Sequence, residues 1–480
     1  MTILPRVTFM WTPELKPGPA PLYERLVQSI AGDIRSGALT PGMRLPPHRE
    51  LAFKLGVSVG SVTRAYTEAE RRGLLVAHVG RGSFVRTSAS PVPDIPTTER
   101  GVARLTNAGP RGAGAIDLRC NTPPPVSLMQ DLNEALMALM ARGALDPAVH
   151  YIQGAGLAPV RQAASHWIRN AYGLEVDAAN LVQCNGGQHA IALAFSSFCS
   201  PGDTILCESS TFYGARMAAE HLGLKLHGLP MDEEGILPEA LDRAVAETGS
   251  RLLFTLPTLH NPTTRTMSVQ RREAIAAIAR SHDLTILEDD AYYAYSRRPP
   301  QLASLAPERT LYLVSLSKGI CPGLRVAFLA LPPGLARERL MRGVRAFGYC
   351  PPALGALVFE EWVREGRIDD IAQAIQKEAA SRWKMAHQAL GSLMTPPGAD
   401  HSPHGFLPMQ ALEAERVTTR LLRAGVEVTP PDAALVSRDA DTGLRLCFGA
   451  PESQAELGEA LTIITEVIAG HGRADRDGIV

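Results

Sequence analysis

Apolar residues recur with a helical period at the start of this chain. One apolar helix face is predicted by Tyr23, Leu26, Val27, Ile30 and Ile34. A second short helix is predicted over residues 49–55, and Ser58 can cap a third that ends at Gly73. Two short apolar runs around Gly80-Arg81-Gly82 then predict a β-hairpin. Three helices followed by a hairpin are the plan of a winged helix-turn-helix.

From Ile116 onward, apolar strand-like runs alternate with helical patterns. The predicted strands are residues 181–184, 204–207, 252–256, 284–287, 311–314 and 326–331. This alternation predicts an α/β fold in which a mostly parallel sheet has helices on both faces, so that the large domain has three layers. Residues 335–470 are mostly helical in pattern, with short strands near 426–429 and 444–448, which predicts a smaller α+β domain.

Composition divides the chain into modules. Residues 87–114 are rich in Pro, Ser, Thr, Gly and Ala and lack apolar periodicity, which predicts a flexible linker. We therefore predict an N-terminal module over residues 1–86 and a body over 115–480, with a large part at about 130–333 and a small part at about 334–470. Residues 1–87 carry a net charge of +6, and the remainder carries −7. A basic module on an acidic body indicates an anionic partner.

The seven cysteines are scattered and none forms a Cys-x-x-Cys pair. We therefore expect neither a disulfide framework nor a zinc site, and we expect a reducing, cytoplasmic setting. The N-terminal residues lack the apolar core of a signal peptide and no apolar run reaches the length of a membrane span, so we expect neither. His401-x-x-His404 has a spacing that could bind a metal, but without further ligands nearby we expect a loop and no metal site.

Candidate binding and catalytic residues follow the C-terminal ends of several predicted strands, where binding residues are found in such sheets. They are Asn185-Gly186-Gly187-Gln188, Asn261-Pro262, Glu288-Asp289-Asp290-Ala291-Tyr292 and Ser315-x-x-Lys318, with Arg325 shortly after. Each has an ordinary alternative: the glycine turn is common, the three acids could bind magnesium, and Lys318 could be a solvated loop lysine. Together they supply an amine nucleophile, an acid, hydrogen-bonding groups and a phosphate cradle. Pyridoxal 5′-phosphate (PLP) requires this combination.

The run from Pro21 to Val85 resembles the GntR-type DNA-binding domain over its whole length. Its markers include Gly37-x-Leu39-x-Pro41-Gly42, Arg49-Glu50-Leu51-Ala52, Leu55-Gly56-Val57-Ser58 and Gly80-Arg81-Gly82-Ser83-Phe84-Val85. The resemblance implies that the third helix enters the major groove of DNA. The DNA contacts that we expect are Arg44, Arg49, Ser58, Ser61, Arg64 and Arg81.

Two residues depart from the GntR pattern. Pro47 stands where the family usually has Ser, and Val59 stands where it usually has Arg. Val59 can contact a thymine methyl group but cannot bond guanine, so we expect Arg64 to read bases in its place. The alternative is a winged helix kept only for protein contacts, against which the positive charge argues.

Residues 116–470 resemble a fold-type I aminotransferase, and the whole chain resembles the MocR-type subfamily of GntR regulators. The markers are Tyr151-x-x-x-x-Gly156-Leu157-x-x-x-Arg161, Asn185-Gly186-Gly187-Gln188, Asn261-Pro262, Asp289-x-x-Tyr292, Ser315-x-x-Lys318, Pro322-Gly323-Leu324-Arg325 and Leu444-Arg445-Leu446. The resemblance implies that Lys318 holds PLP as an aldimine, that Asp289 pairs with its pyridine nitrogen, and that Lys318, Asp289 and Tyr292 are the catalytic set. Tyr292 and Asn261 would bond the ring oxygen.

The resemblance also implies the remaining contacts. The phosphate would be held by Gly187, Gln188, Ser315 and Arg325. Tyr151 would reach the phosphate of the opposite subunit, which implies a homodimer, and Arg445 would pair with a substrate α-carboxylate. Phe212 fits the aromatic residue that stacks on the ring. Tyr213 remains an alternative, because the segment before it lacks the proline that usually sets the register.

Three functions of different classes fit these residues. The first is a transcriptional regulator whose aminotransferase-like body senses PLP or an amino compound by aldimine exchange. The second is an active PLP-dependent aminotransferase with an appended DNA-binding module. The third is a DNA-binding structural protein whose body only dimerises. The intact set of Lys318, Asp289, Tyr292 and Arg445 argues against the third, and the basic N-terminal module favours the first.

Overall fold

The computed structural model describes residues 11–13, 22–40, 42–71, 74–78, 82–85, 115–292, 299–334 and 337–474. The chain divides into two compact units, Met1–Arg100 and Gly101–Val480, and each has its own apolar core. The predicted wing tip at Arg81 and the predicted linker 87–114 lie outside the described residues. No helix in the described ranges is long and apolar enough to cross a membrane.

The N-terminal unit has three helices followed by an antiparallel hairpin, which confirms the predicted winged helix-turn-helix. Its elements are α1 (Leu22–Ser36), α2 (His48–Leu55), α3 (Val59–Arg71), β1 (Leu75–His78) and β2 (Gly82–Val85). Leu26, Leu51 and Val62 place one residue from each helix in a single core, because each helix has one apolar face. The Ser58 Oγ accepts a hydrogen bond from the Ser61 amide at 3.2 Å, so Ser58 caps α3 as expected.

The second unit contains the remaining elements in the described part of the chain. Its helices are α4 (Met129–Ala141), α5 (Ala158–Tyr172), α6 (Gly186–Phe198), α7 (Tyr213–His221), α8 (Pro238–Thr248), α9 (Val269–Ser281), α10 (Leu302–Leu305), α11 (Arg337–Gly348), α12 (Leu354–Arg364), α13 (Arg367–Leu390), α14 (Ala411–Arg423) and α15 (Gln454–Ala474). Its strands are β3 (Ile116–Asp117), β4 (Leu181–Asn185), β5 (Thr204–Glu208), β6 (Lys225–Leu229), β7 (Met231–Asp232), β8 (Gly235–Ile236), β9 (Leu252–Thr255), β10 (Thr285–Asp289), β11 (Thr310–Ser315), β12 (Val326–Ala330), β13 (His404–Pro408), β14 (Val426–Glu427) and β15 (Gly443–Cys447).

A seven-stranded sheet in the order β4-β12-β11-β10-β9-β5-β6 forms the centre of this unit. The neighbours from β11 to β6 are parallel, whereas β12 is antiparallel to both β11 and β4. Alternate residues of β11 enter different apolar clusters: Tyr312 joins α5 and α12 on one face, and Leu313 joins α6 on the other. This arrangement confirms the predicted three-layer fold. The carboxyl ends of β4, β9, β10 and β11 therefore meet at one edge of the sheet.

The C-terminal part is the predicted smaller α+β domain. Strand β13 pairs antiparallel with β15, and β14 pairs parallel with β3. Helices α13, α14 and α15 pack on these strands around Trp383, Leu407 and Leu461. One expectation about this region is wrong: His404 does not lie in a loop but begins β13, and it is fully buried. The Ser- and Pro-rich approach to the strand had favoured a loop, but only Phe406 and Leu407 carry the apolar signal of a strand.

Candidate cofactor site and DNA interface

Lys318 lies in the connection between β11 and β12, at the carboxyl edge of the sheet. Its Nζ donates a hydrogen bond to the backbone carbonyl of Asn121 at 2.6 Å. Burial lowers the pKa of Lys318, and the nearby cation Arg445 lowers it further. A lowered pKa gives more of the neutral amine at a given pH, and the neutral amine is the nucleophilic form. These properties do not fit the alternative of a solvated loop lysine.

Asp289 ends β10 with its side chain buried at 7% exposure. Burial and the neighbouring Asp290 raise the pKa of Asp289 to about 7, while Lys318 acts in the opposite direction. A positively charged group beside Asp289 would stabilise its ionised form, because the attraction would offset the cost of burying a carboxylate. Tyr292 is also buried, and Asp289 is among the charges that act on its hydroxyl.

The three consecutive acids at the end of β10 do not converge on one point. Glu288 accepts hydrogen bonds from the backbone amides of Leu302 and Ala303 at 3.1 and 2.9 Å and faces Arg272 at 3.6 Å. Asp290 accepts a hydrogen bond from the Tyr312 hydroxyl at 2.6 Å. In the described ranges, no group of three potential metal ligands is found. The magnesium alternative therefore has no support in the structure.

The turn at the start of α6 lies against a cationic side chain and a hydroxyl group. Gly186 has φ +77°, and a Cβ placed there would lie 2.3 Å from Nη2 of Arg325. A Cβ on Gly187 would lie 3.8 Å from Oγ of Ser315, so Ser315 and Arg325 both face this turn. The amide groups at the start of the 13-residue helix α6 add a favourable dipole. The residues present thus fit a phosphate group.

Arg445, on β15 of the smaller domain, is buried at the same site. Its Nη1 donates to Oδ1 of Asn261 at 2.8 Å. Its Nη2 donates to the Arg119 carbonyl at 2.6 Å and to Oγ1 of Thr429 at 2.8 Å. Its Nε has no hydrogen-bond partner among the described residues, although it is buried. A buried unpaired donor is costly, so a ligand that accepts from this atom would be stabilised.

The two candidate stacking aromatics contact each other, with ring centroids 4.9 Å apart, but they have different further neighbours. The ring of Phe212 lies beside Gly214 and next to Gln188, because a Cβ on Gly214 would come within 2.4 Å of Phe212 and 2.2 Å of Gln188. Tyr213 instead lines a cavity with Asn261 and Arg445. Phe212 therefore neighbours one of the expected phosphate ligands, and Tyr213 neighbours the expected carboxylate ligand. Phe212 remains our candidate for stacking, and Tyr213 remains the alternative.

Tyr151 does not join the buried set. Its side chain is 73% exposed, and its ring packs edge-on against that of Tyr349, with centroids 4.9 Å apart. It shares an open cavity with Asn185, which ends β4 just before the phosphate turn. Tyr151 is thus free to contact a group that comes from outside its own chain.

Sequence reasoning missed three buried residues of the site. Asn121 contacts Lys318 and Tyr292, His404 contacts Asn121, and Glu208 accepts hydrogen bonds from Thr255 Oγ1 and the Leu256 amide at 2.6 and 2.8 Å. Glu208 could have been found, because it is a carboxylate directly after the predicted strand 204–207. Asn121 could not, since it lies in a Pro-rich segment far from every motif.

In the N-terminal unit, Arg44, Arg49, Ser58 and Arg64 are exposed. Arg49 stands in the first turn of α2, and Ser58 precedes α3. Arg64, however, lies over the ring of Tyr23 with 4.0 Å between its guanidinium carbon and the ring centroid. This cation–π contact directs Arg64 toward α1, so base reading by Arg64 would require it to leave that ring. Arg81 lies outside the described residues.

Each of the two units matches the model of a known protein family. The model for aminotransferase class I and II matches residues 113–464, and the model for the gntR family of bacterial regulatory proteins matches residues 22–85. The chain therefore belongs to the aminotransferase class I and II family and carries a gntR-type head, which is the composition of MocR-type regulators.

Proteins that are named as regulators match three quarters or more of this chain. The uncharacterized HTH-type transcriptional regulator YdeF of Bacillus subtilis is 27% identical over 468 residues, which cover 95% of this chain and 96% of YdeF. The pyridoxine biosynthesis transcriptional regulator PdxR of Corynebacterium glutamicum is 25% identical and covers 93% of this chain and 97% of its own. The probable rhizopine catabolism regulatory protein MocR of Rhizobium meliloti is 26% identical, with 76% of each chain covered.

Solved structures support the fold of the body. An archaeal alanine:glyoxylate aminotransferase matches with a TM-score of 0.70 and 22% identity, covering 78% of this chain and 96% of its own. The kynurenine aminotransferase of Pyrococcus horikoshii matches with a TM-score of 0.69 and 23% identity, covering 80% and 97%. Family membership implies PLP as the cofactor. The cradle at Gly186, the acid Asp289 and the amine of Lys318 fit that group.

Proposed function

We propose that this protein is a PLP-dependent, DNA-binding transcriptional regulator whose aminotransferase-like body senses PLP or an amino compound. One observation carries the proposal: a chain with a winged helix-turn-helix also holds a lysine of lowered pKa beside a buried acid and a phosphate cradle. The regulator names of relatives that match over both units support it.

The residues of the candidate site have separate roles in this proposal. When bound, PLP supplies an aldehyde on which primary amines exchange and a ring that withdraws electrons. Lys318 provides the amine that holds the cofactor and is displaced by the amine of the effector. Asp289 keeps a proton on the pyridine nitrogen, and the turn at Gly187 and Gln188, with Ser315 and Arg325, binds the phosphate. Arg445 binds a carboxylate of the effector, which would favour amino acids over simple amines.

The second candidate is an active aminotransferase, which is favoured by the proximity of Lys318, Asp289, Tyr292 and Arg445 at one site. Turnover makes an additional demand on Lys318. Once displaced, its Nζ must carry a proton away from the substrate Cα. Binding of an effector makes no such demand, so the two functions share the first step and separate at proton transfer.

Spectroscopy of the purified protein with a panel of amino acids separates the two. A sensor should give a lasting change in the visible absorption of the cofactor without release of a 2-oxo acid. An aminotransferase should convert the cofactor to pyridoxamine phosphate and release the 2-oxo acid. Lys318→Ala should abolish the visible band of the lysine-bound cofactor while DNA binding by the N-terminal unit persists. A band that survives in this variant would contradict the assignment of Lys318.

The regulator must also bind DNA from its own genomic neighbourhood, with affinity that falls as salt rises. Absent or salt-insensitive binding would count against the regulator and for the enzyme. Because its proposed target is chromosomal DNA, we place the protein in the cytoplasm.

We further propose that the body forms a homodimer. Exposed apolar side chains surround the cavity beside Tyr151: Val149, Phe347 and Tyr349. Exposed apolar clusters of this kind mark protein interfaces. A second copy seated there would bring its own Tyr151 toward the Asn185 turn. Val149→Glu should therefore lower both the mass measured by ultracentrifugation and the affinity for PLP.

A further inference from the structure

A buried histidine that the proposed function does not use lies against the cofactor residues. His404 begins β13 and is fully buried. Its ring centroid is 5.5 Å from that of Tyr292, and its Nδ1 is 3.0 Å from Nδ2 of Asn121. The same Nδ2 donates to the Tyr292 hydroxyl at 3.0 Å. The Asn121 carbonyl accepts from Lys318 Nζ at 2.6 Å. His404 is thus connected to both Tyr292 and Lys318 through one residue.

The other ring nitrogen determines which tautomer His404 adopts. Its Nε2 lies 3.3 Å from the backbone carbonyl of His260, and a carbonyl can only accept. Nε2 must therefore carry the hydrogen. A neutral ring then has its lone pair on Nδ1, which can only accept.

The charge state of the ring supports this assignment. Burial lowers the pKa of His404 to about 3, and the cations Arg445 and Lys318 together with His260 contribute in the same direction, while its hydrogen bond to the His260 carbonyl opposes them. Cys447 lies opposite His404 in the strand pairing, and Tyr292 lies against the ring. None of these neighbours is a carboxylate that would favour an imidazolium. The ring stays neutral at every pH at which the protein would work.

An accepting Nδ1 fixes the side-chain amide of Asn121. Because His404 Nδ1 needs a donor, the amide must present its NH₂ group, and that group then also donates to the Tyr292 oxygen. If the amide were rotated by half a turn, its oxygen would face the lone pair of His404 Nδ1 with no hydrogen between them, and it would accept the hydroxyl proton of Tyr292. The tautomer of His404 thus decides the direction of the hydrogen bond at Tyr292.

We infer that His404 is a positioning residue that keeps the hydroxyl proton of Tyr292 available for the cofactor's ring oxygen. Tyr292 receives a hydrogen bond from Asn121 and has no acceptor for its own proton among the described residues. The proton is therefore free to be donated into the site. This inference rests on the proposed function, because the ring oxygen belongs to bound PLP.

The test measures the pH midpoint at which the visible absorption of the lysine-bound cofactor changes. A donor to the ring oxygen lowers this midpoint, because it stabilises the deprotonated form. His404→Phe keeps an aromatic side chain but removes both ring nitrogens, so the orientation of the Asn121 amide is no longer fixed. The midpoint should then rise by about one pH unit, as for the loss of one hydrogen bond. His404→Asn restores an acceptor near the position of Nδ1, and the midpoint should return toward the wild-type value.

A double variant separates positioning from a direct electrostatic effect. Tyr292→Phe alone should raise the midpoint at least as much as His404→Phe. If His404 acts through Tyr292, adding His404→Phe to Tyr292→Phe should produce no further shift. Additive shifts, or an unchanged midpoint in His404→Phe, would overturn the inference while leaving the proposed function intact. If His404→Phe does not fold, a midpoint in His404→Asn that is as high as in Tyr292→Phe would overturn it as well. A wild-type protein with no visible band would overturn both.

Discussion

Nη1 of Arg445 donates to Oδ1 of Asn261 at 2.8 Å, and this bond joins the smaller domain to the loop after β9. Both residues are buried, and the bond connects the proposed carboxylate-binding residue to a proposed ligand of the cofactor's ring oxygen. Binding of a carboxylate by Arg445 could thus alter the hydrogen bond that Asn261 would make to the cofactor's ring oxygen. An effector could in this way change the cofactor's surroundings before any covalent exchange occurs.

Arg445→Gln should weaken binding of amino acids about 10- to 100-fold, since a hydrogen bond between charged groups is worth about 1.5–3 kcal/mol. Titration of the visible absorption with an amino acid measures the effect. The matched control is the corresponding amine without a carboxylate, whose affinity should change little. Equal losses for the amino acid and the amine would show that Arg445 supports the site without contacting the carboxylate.

Gly186→Ala should damage the phosphate cradle. The added Cβ would lie 2.3 Å from Nη2 of Arg325, and the residue would also have to keep φ +77°. The positive φ alone costs roughly 1–2 kcal/mol for a residue other than glycine. PLP affinity, measured by fluorescence titration, should fall at least tenfold.

Gly173→Ala is the matched control for that substitution. Gly173 has φ +67° at the end of α5, and a Cβ there would meet nothing within 4 Å. It should lose similar stability but keep its PLP affinity. If both variants lost PLP affinity alike, backbone strain would explain the effect and the cradle would not.

The strands of the sheet could be predicted because their apolar runs are continuous. Buried parallel strands such as β9 and β11 are apolar on both faces, and the prediction placed them within one or two residues. Strand β6 was missed, since Lys225 and His227 interrupt its pattern at the sheet edge. The motif residues of the site could also be recognised in the sequence, because polar residues at the ends of such strands are conspicuous.

The remainder of the site depends on contacts between distant segments. Asn121 and His404 are 283 positions apart, and neither has a local pattern that signals burial. The same limit applies to Arg64, whose contact with Tyr23 arises from the packing of α3 on α1. A sequence shows that such a residue can read bases, but it does not show which neighbour holds it.

Arg49→Ala should weaken DNA binding uniformly across sequences, because an arginine that holds a phosphate reads no base. The slope of log affinity against log salt should fall in magnitude by about one. The control is Arg416→Ala, which removes an exposed charge from α14 in the other unit and should leave the slope unchanged. Loss of affinity for one sequence only would instead assign Arg49 to base reading.

Asp289→Asn should remove one contribution to the pH dependence of the free energy of unfolding of the cofactor-free protein. The pKa of Asp289 rises from 3.8 to about 7 through burial, so the folded state holds a proton that the unfolded state loses. An acid with a raised pKa destabilises the fold progressively as pH increases from about 4 to about 7. The neutral asparagine removes this penalty, and the variant should exceed the wild type by about 2 to 4 kcal/mol at pH 8, and by little at pH 4. Thermal unfolding of the body at both pH values measures the difference.

Addition of PLP should invert the order of the two proteins. In our proposal the protonated pyridine nitrogen of the cofactor would pair with the ionised Asp289, and PLP would therefore stabilise the wild type through binding energy that the asparagine variant cannot recover. At pH 8 we expect PLP to raise the unfolding temperature of the wild type by several degrees more than that of Asp289→Asn. Equal shifts in the two proteins would mean that Asp289 does not contact the cofactor, and its buried carboxyl would then need another partner.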